Sequence, residues 1–66
     1  MKKKIVILGA GESGTGSAVL AMKNGIDVFV SDYGEIKEKY REILDNYNIR
    51  WEQGKHTESE IITADE

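Results

Sequence analysis

Residues 5–14 read Ile5-Val6-Ile7-Leu8-Gly9-Ala10-Gly11-Glu12-Ser13-Gly14, and this stretch carries the clearest structural pattern of the sequence. Its first four residues form a solid apolar run with charge before it and glycine after it, which is typical of a parallel strand buried on both faces. The glycines that follow match the pattern G-x-G-x-x-G, which turns a chain from a strand into a helix. The stretch therefore predicts the start of a β-α-β unit.

The chain beyond the glycines continues this alternation. Small and apolar residues predict a helix from Ser13 to about Lys23, and the pair Asn24-Gly25 supplies its stop. Residues 26–30 repeat the apolar run with β-branched and aromatic side chains, which favours a second strand. The first half of the sequence therefore predicts strand, helix and strand.

The second half predicts the same order again. Residues 35–47 place apolar side chains on one helical face, and residues 49–52 alternate apolar with polar, as in a strand with one wet face. Thr57 and Glu60 have the spacing of a capping box before a short last helix. We expect an α/β fold: a truncated Rossmann-like parallel sheet of three strands with flanking helices.

The predicted sheet leaves one side of its first strand open. In the doubly wound order a fourth strand covers that side, and the sequence supplies none. We therefore expect residues 1–66 to be the front part of a longer protein. An open strand edge also invites pairing with another chain, so we expect self-association through the edge of strand one.

Composition excludes several classes of function. The chain has 66 residues, no cysteine and one histidine, so it has neither a disulfide framework nor a cysteine-based zinc site, and it fits a reducing cytoplasm. Its net charge is −3, with +2 on residues 1–31 and −5 on the remainder, which argues against a nucleic-acid partner. A membrane span needs about 20 mostly apolar residues, and the sequence contains no such run.

The glycine loop predicts an anion site. Gly9 suits the tight turn, Gly11 lets the backbone approach a pyrophosphate, and Gly14 allows close packing of helix and sheet. The amides at the helix N-terminus and the helix dipole then face the anion without help from a basic side chain. The lysine of a P-loop is missing after either Gly14 or Gly16, so the loop does not predict nucleotide triphosphate hydrolysis.

Four further side chains belong to this candidate site. The hydroxyls of Ser13 and Thr15 either donate to phosphate oxygens or cap the helix, and the carboxylate of Glu12, which would repel a diphosphate, is expected to point to solvent. Asp32 stands 21 positions beyond Gly11, near the spacing of about 20 that places an acidic residue on a ribose. The same position serves equally well at the uridine of a sugar nucleotide.

The whole chain resembles the N-terminal domain of the Mur ligases of bacterial peptidoglycan synthesis. The resemblance is carried by residues 5–14, by Asp32 and by the stretch 51–56 leading to Ala64-Asp65. It implies a partial UDP-sugar-binding domain whose partner is UDP-N-acetylmuramoyl-L-alanine. It also implies that backbone amides at the positions of Glu12, Ser13 and Gly14 contact the diphosphate, and that Asp32 and Tyr33 lie at the uracil. Tyr33 in an exposed turn is the plainer alternative.

The resemblance further implies what the rest of such an enzyme does. A central domain binds ATP and magnesium and forms an acyl-phosphate on the alanine carboxylate, and a C-terminal domain adds D-glutamate. Neither domain falls within residues 1–66, so we expect this piece to bind substrate, to be inert alone and to carry no cofactor of its own. The alternative is the NAD-binding domain of a dehydrogenase or a regulatory nucleotide sensor. We expect a loop or cap role for His56, with no catalytic part.

Overall fold

Three parallel strands alternate with three helices in the computed structural model, which describes residues 3–62 and 64. The sheet has the order β1-β2-β3, which confirms the predicted α/β class with its three-stranded parallel sheet and flanking helices. Asp65, which carries part of the resemblance stated above, lies outside the described residues. The elements are β1 (Lys4–Leu8), α1 (Glu12–Lys23), β2 (Asp27–Asp32), α2 (Glu38–Asn46), β3 (Arg50–Gln53) and α3 (Glu58–Ile62).

One face of the sheet carries the hydrophobic core. Side chains alternate between the two faces of a strand, and Ile5 and Ile7 of β1 pack with Val28 and Val30 of β2 against α1 and α2. Small residues on α1 let it lie close to the strands. The buried apolar side chains of this core are Ala10, Ala18, Ala21, Val28, Val30, Ile36, Leu44 and Ile49.

Left-handed residues end the two longer helices. Gly25 follows α1 with φ +77°, and its N–H donates to the Met22 carbonyl, while that of Ile26 donates to Ala21. These are the two bonds of a Schellman motif, so the predicted stop at Asn24-Gly25 is confirmed. Asn48, with φ +57°, plays the same part after α2. No helix of the described residues has the length and apolar character that crossing a membrane requires.

The second helix begins three residues later than predicted, at Glu38 rather than at residue 35. Ile36 is buried to 2% exposure ahead of the helix, and its N–H donates to the side-chain oxygen of Gln53 at 3.0 Å. Lys37 then has extended backbone angles as the N-cap. The apolar spacing included Ile36 correctly in the core but could not show that a tertiary hydrogen bond holds it outside the helix.

Strand β1 is less covered than predicted. The expectation of burial on both faces is wrong, because its residues are half-buried and Leu8 is 61% exposed. Both α1 and α2 lie on the core face, and β1 forms one edge of the three-stranded sheet. The third strand spans Arg50–Gln53 rather than residues 49–52, and its Trp51 packs against the core.

Helix α3 occupies the predicted place, but the predicted capping box does not form. The hydroxyl of Thr57 donates to Glu52 instead, and the Thr57 N–H donates to Glu52 at 2.6 Å. Glu60 pairs with Lys4 at 2.7 Å and lies 3.6 Å from Arg50, which fastens α3 to the sheet. The spacing of Thr57 and Glu60 favoured the capping box. In the fold, the carboxylate of Glu52 binds Thr57 instead, and two cations bind Glu60.

The open edge of β1 carries a prediction for the 66-residue chain. We expect self-association at high concentration, because an edge strand offers backbone groups to a second copy. Leu8→Lys should shift the chain toward monomer, since a charge on an edge strand blocks pairing. Leu20→Lys on α1, where Leu20 is 64% exposed, is the matched control and should leave association unchanged. Light scattering across a concentration series measures this, and wild type that stays monomeric throughout would contradict it.

Candidate functional site

Three loops meet at the carboxyl edge of the sheet, where open α/β sheets bind ligands. The loop after β1 is tied to the end of β2, because the Ala10 N–H donates to Asp32 Oδ2 at 2.8 Å. The loop after β2 is tied to the end of β3, because the Gly54 N–H donates to the Gly34 carbonyl at 2.9 Å. These bonds join the three loops into one continuous rim.

Gly9 and Gly14 shape the first loop as the sequence predicts. Gly9 has φ +103°, a region that favours glycine, and its N–H donates to the Ser31 carbonyl at 2.8 Å. A Cβ added at Gly14 would lie 2.0 Å from the Gly9 carbonyl oxygen, so α1 crosses the turn at a distance that only glycine permits. The two glycines together fix where the helix begins.

Gly11 differs from both, because no neighbour among the described residues requires glycine there. Its φ is −82°, and an added Cβ would meet no atom within 4 Å. Gly11 is also the N-cap of α1, and no side chain caps this end. The space above Gly11 is therefore open at the point where a pyrophosphate would approach the backbone.

The first amides of α1 are free to bind an anion. The helix ladder starts with the Thr15 N–H, which donates to the Gly11 carbonyl at 2.9 Å. The described residues provide no acceptor for the N–H groups of Glu12, Ser13 and Gly14. These three donors lie at the positive end of a 12-residue helix, and such an end attracts phosphate.

The side chains around these amides take different positions. Ser13 is exposed, whereas Thr15 is 3% exposed and its hydroxyl donates to the Ala10 carbonyl at 3.3 Å. Thr15 thus uses both its N–H and its hydroxyl within the loop, and its structural part is to hold the turn. Glu12 is exposed, as expected, and borders an open groove of about 420 Å³ between α1 and α2.

Asp32 holds two loops together at the end of β2. Its Oδ2 accepts from Ala10 and its Oδ1 accepts from the Gly34 N–H at 2.9 Å. The next residue, Tyr33, is 73% exposed, and its ring meets the His56 ring edge-on with 5.4 Å between centroids. The structure thus brings the predicted pair to the rim beside the glycine loop, and it gives Asp32 a positioning role that the sequence did not reveal.

A polar cluster under this rim was not predicted from the sequence. Ser31, fully buried, donates to Glu52 Oε2 at 2.7 Å, and its hydroxyl lies 2.5 Å from His56 Nδ1. Ser31 and Glu52 are direct partners in the β2-β3 register. In the sequence, polar residues near the ends of two adjacent strands could have indicated this cluster. In the described part of the chain, no three His, Asp or Glu side chains gather as a metal site.

Glu52 is ionised within this cluster. Burial raises the pKa of its carboxyl, but the hydrogen bonds from the Thr57 hydroxyl, the Thr57 N–H and Ser31, with the charge of Lys55, outweigh that effect and lower the pKa below its usual 4.5. Glu60 also has a lowered pKa, first because Lys4 donates to it and then because Arg50 is near. Both carboxylates therefore stabilise the folded chain in their charged form.

Acid should destabilise the chain through these two groups. The folded chain binds fewer protons than the unfolded chain near pH 4.5. The contribution of these two carboxylates to stability is therefore fully present at neutral pH, and it is lost as the pH falls through 4.5 toward their lower pKa values in the folded chain. Glu52→Gln should lower the free energy of unfolding by about 1–3 kcal/mol at pH 7, because it leaves a hydrogen-bond donor of the cluster unsatisfied. It should also make stability fall less steeply as the pH is lowered. Urea unfolding from pH 7 to pH 3 measures both effects. If the stability of Glu52→Gln falls with pH as steeply as that of wild type, the lowered pKa does not belong to Glu52.

Comparison with known proteins supplies the family context of this site. Residues 4–65 match the family described as the MurD N-terminal domain. UDP-N-acetylmuramoylalanine–D-glutamate ligase of Christiangramia forsetii is 65% identical over 65 residues, which are 98% of this chain and 15% of that protein. The ligases of the same name from Bacteroides fragilis and Porphyromonas gingivalis are 59% and 56% identical over 97% and 100% of the chain, and over 14% and 15% of their own lengths. No solved structure matches the chain.

Proposed function

The chain belongs to the MurD N-terminal domain family, and from this membership and the free amides of the glycine loop we propose that it binds the UDP part of UDP-N-acetylmuramoyl-L-alanine. The observation that carries the proposal is the set of three N–H groups, at Glu12, Ser13 and Gly14, that have no acceptor among the described residues. Their position after the turn at Gly9, with open space over Gly11, suits a diphosphate.

The binding mechanism uses main-chain donors at one end of the ligand and side chains at the other. The loop amides and the dipole of α1 offset the charge of the diphosphate, so no lysine or arginine is needed at that point. Asp32 and the exposed ring of Tyr33 stand at the end of β2, where they serve the uracil and its ribose. The Asp32 bond to Ala10 keeps these two parts of the site at a fixed spacing.

The activity of a whole enzyme follows from the family as a proposal. The chain spans about 15% of the length of the curated relatives it matches. We place it in a ligase of cytoplasmic peptidoglycan synthesis that uses ATP and magnesium to activate the alanine carboxylate and joins D-glutamate to it. Within that reaction, residues 1–66 hold the nucleotide end of the substrate, and we assign them no catalytic residue and no activity of their own.

Titration calorimetry on the 66-residue chain tests the proposal. We expect heat of binding with UDP-N-acetylmuramoyl-L-alanine and with UDP, and none with NAD. Binding of NAD alone would overturn the proposal and favour the domain of a dehydrogenase or nucleotide sensor. Silence with all three ligands, on a sample whose circular dichroism shows a folded chain, would also overturn the proposal for these residues.

A further inference from the structure

The hydroxyl of Ser31 has more neighbours than one proton can serve. It lies 2.7 Å from Glu52 Oε2, 3.2 Å from the Lys55 carbonyl oxygen and 2.5 Å from His56 Nδ1. Ser31 is fully buried, so water does not share these contacts. A hydroxyl donates one hydrogen bond and accepts others through its lone pairs, so at most one of the three neighbours receives the serine proton.

The proton count fixes the tautomer of His56. A carbonyl oxygen only accepts, and Glu52 only accepts as a carboxylate, a state that its lowered pKa supports. The serine proton therefore goes to one of these two oxygens, and the short contact to His56 needs a proton from the ring. Nδ1 must carry that proton and donate it to Ser31. In the neutral ring, Nε2 then has a free lone pair.

The remaining ring nitrogen is available to a ligand. The described residues give Nε2 no hydrogen-bond partner, and His56 is half-buried rather than enclosed. The residue follows β3 at the carboxyl edge of the sheet, and its ring contacts that of Tyr33, which is 73% exposed. The His56 ring is thus held by Ser31 through Nδ1. Its Nε2 remains an acceptor on a ring that contacts the exposed Tyr33.

We propose that Ser31 and Glu52 hold His56 as the Nδ1–H tautomer, so that Nε2 accepts a hydrogen bond from N3–H of a uracil base and favours uridine over cytidine nucleotides. The inference rests on the proposed function and adds a specificity residue to the same site. Uracil carries a hydrogen on N3, whereas N3 of cytosine is itself an acceptor and would face the Nε2 lone pair. Two acceptors left facing each other cost affinity.

Two substitutions separate a ligand contact from a structural role. The amide of asparagine reaches the position of Nδ1, so His56→Asn keeps the donor to Ser31 and loses the acceptor. Glutamine reaches the position of Nε2, so His56→Gln keeps a group for the base and loses the bond to Ser31. If His56 contacts the base, His56→Asn should bind UDP about tenfold more weakly than wild type, and His56→Gln should bind it better than His56→Asn although it is the less stable variant.

Calorimetry with UDP and CDP at pH 8, on the chain and both variants, gives the result. We expect wild type to prefer UDP about tenfold and His56→Asn to show no preference. Nitrogen-15 NMR of the His56 ring should show the proton on Nδ1, and UDP should move the Nε2 signal. His56→Asn with wild-type affinity and preference, or a proton found on Nε2, overturns this inference. UDP-N-acetylmuramoyl-L-alanine that still binds in that case leaves the proposed function standing, whereas its failure to bind rejects both.

Discussion

Gly14→Ala is expected to remove a large part of the stability of the folded chain. The new Cβ would lie 2.0 Å from the oxygen and 3.0 Å from the carbon of the Gly9 carbonyl, and both atoms are backbone held by the turn. Helix α1 would have to move away from β1, at a cost of about 1–3 kcal/mol or more for overpacking. A chain of this size rarely has more than about 3–5 kcal/mol of stability, so this cost is a large fraction of the total.

Gly16→Ala is the matched control in the same helix. A Cβ at Gly16 meets nothing within 4 Å, and glycine inside a helix is about 1 kcal/mol less favourable than alanine. Gly16→Ala should therefore be as stable as wild type or about 0.5–1 kcal/mol more stable. Urea unfolding followed by circular dichroism compares the three chains. A Gly14→Ala chain that unfolds at the wild-type urea concentration would show that α1 does not depend on this close approach.

Gly11→Ala should have the opposite effect to Gly14→Ala, because the chain should stay folded and lose ligand binding. The added Cβ contacts none of the residues that the structure describes, and the backbone is extended. The expected cost is therefore that of a poorer N-cap, about 1 kcal/mol or less. The same methyl group occupies the space through which a diphosphate would reach the loop amides. We expect the affinity for UDP to fall at least about tenfold, which corresponds to about 1.4 kcal/mol of binding free energy.

Calorimetry with UDP, beside urea unfolding of the same samples, separates these two effects. Gly16→Ala again serves as the control, because its added methyl group lies beyond the loop amides and should leave UDP affinity unchanged. A Gly11→Ala chain that binds UDP as well as wild type does would mean that the phosphates do not approach the backbone at Gly11, and the proposed arrangement would be wrong.

The parts of the fold that short-range chemistry decides are the parts that the sequence predicts. Gly9 and Gly14 are required by the turn itself, and Asn24-Gly25 ends α1 through bonds that span six residues. The alternation of apolar runs with an amphipathic segment then determines a parallel sheet, because such strands need crossover helices. These features depend on neighbours in the chain, and the chain order shows them directly.

The parts that were missed depend on which residues the fold brings together. Ser31 and Glu52 meet only because β2 and β3 pair in a particular register, and that register is not readable from either strand alone. The same carboxylate takes the hydroxyl and N–H of Thr57, which is why the capping box does not form. Likewise, Gln53 holds Ile36 outside α2. Long-range hydrogen bonds prevail over local patterns at each of these points.

A nitrogen-15 NMR titration of the wild-type chain with UDP shows directly which amides contact the phosphates. Because main-chain donors at the start of α1 bind the phosphates in the proposed arrangement, the amide signals of Glu12, Ser13 and Gly14 should show the largest shifts and should saturate together. Shifts confined to the groove between α1 and α2, at Val19, Tyr40 and Ile43, with the loop amides unmoved, would contradict it.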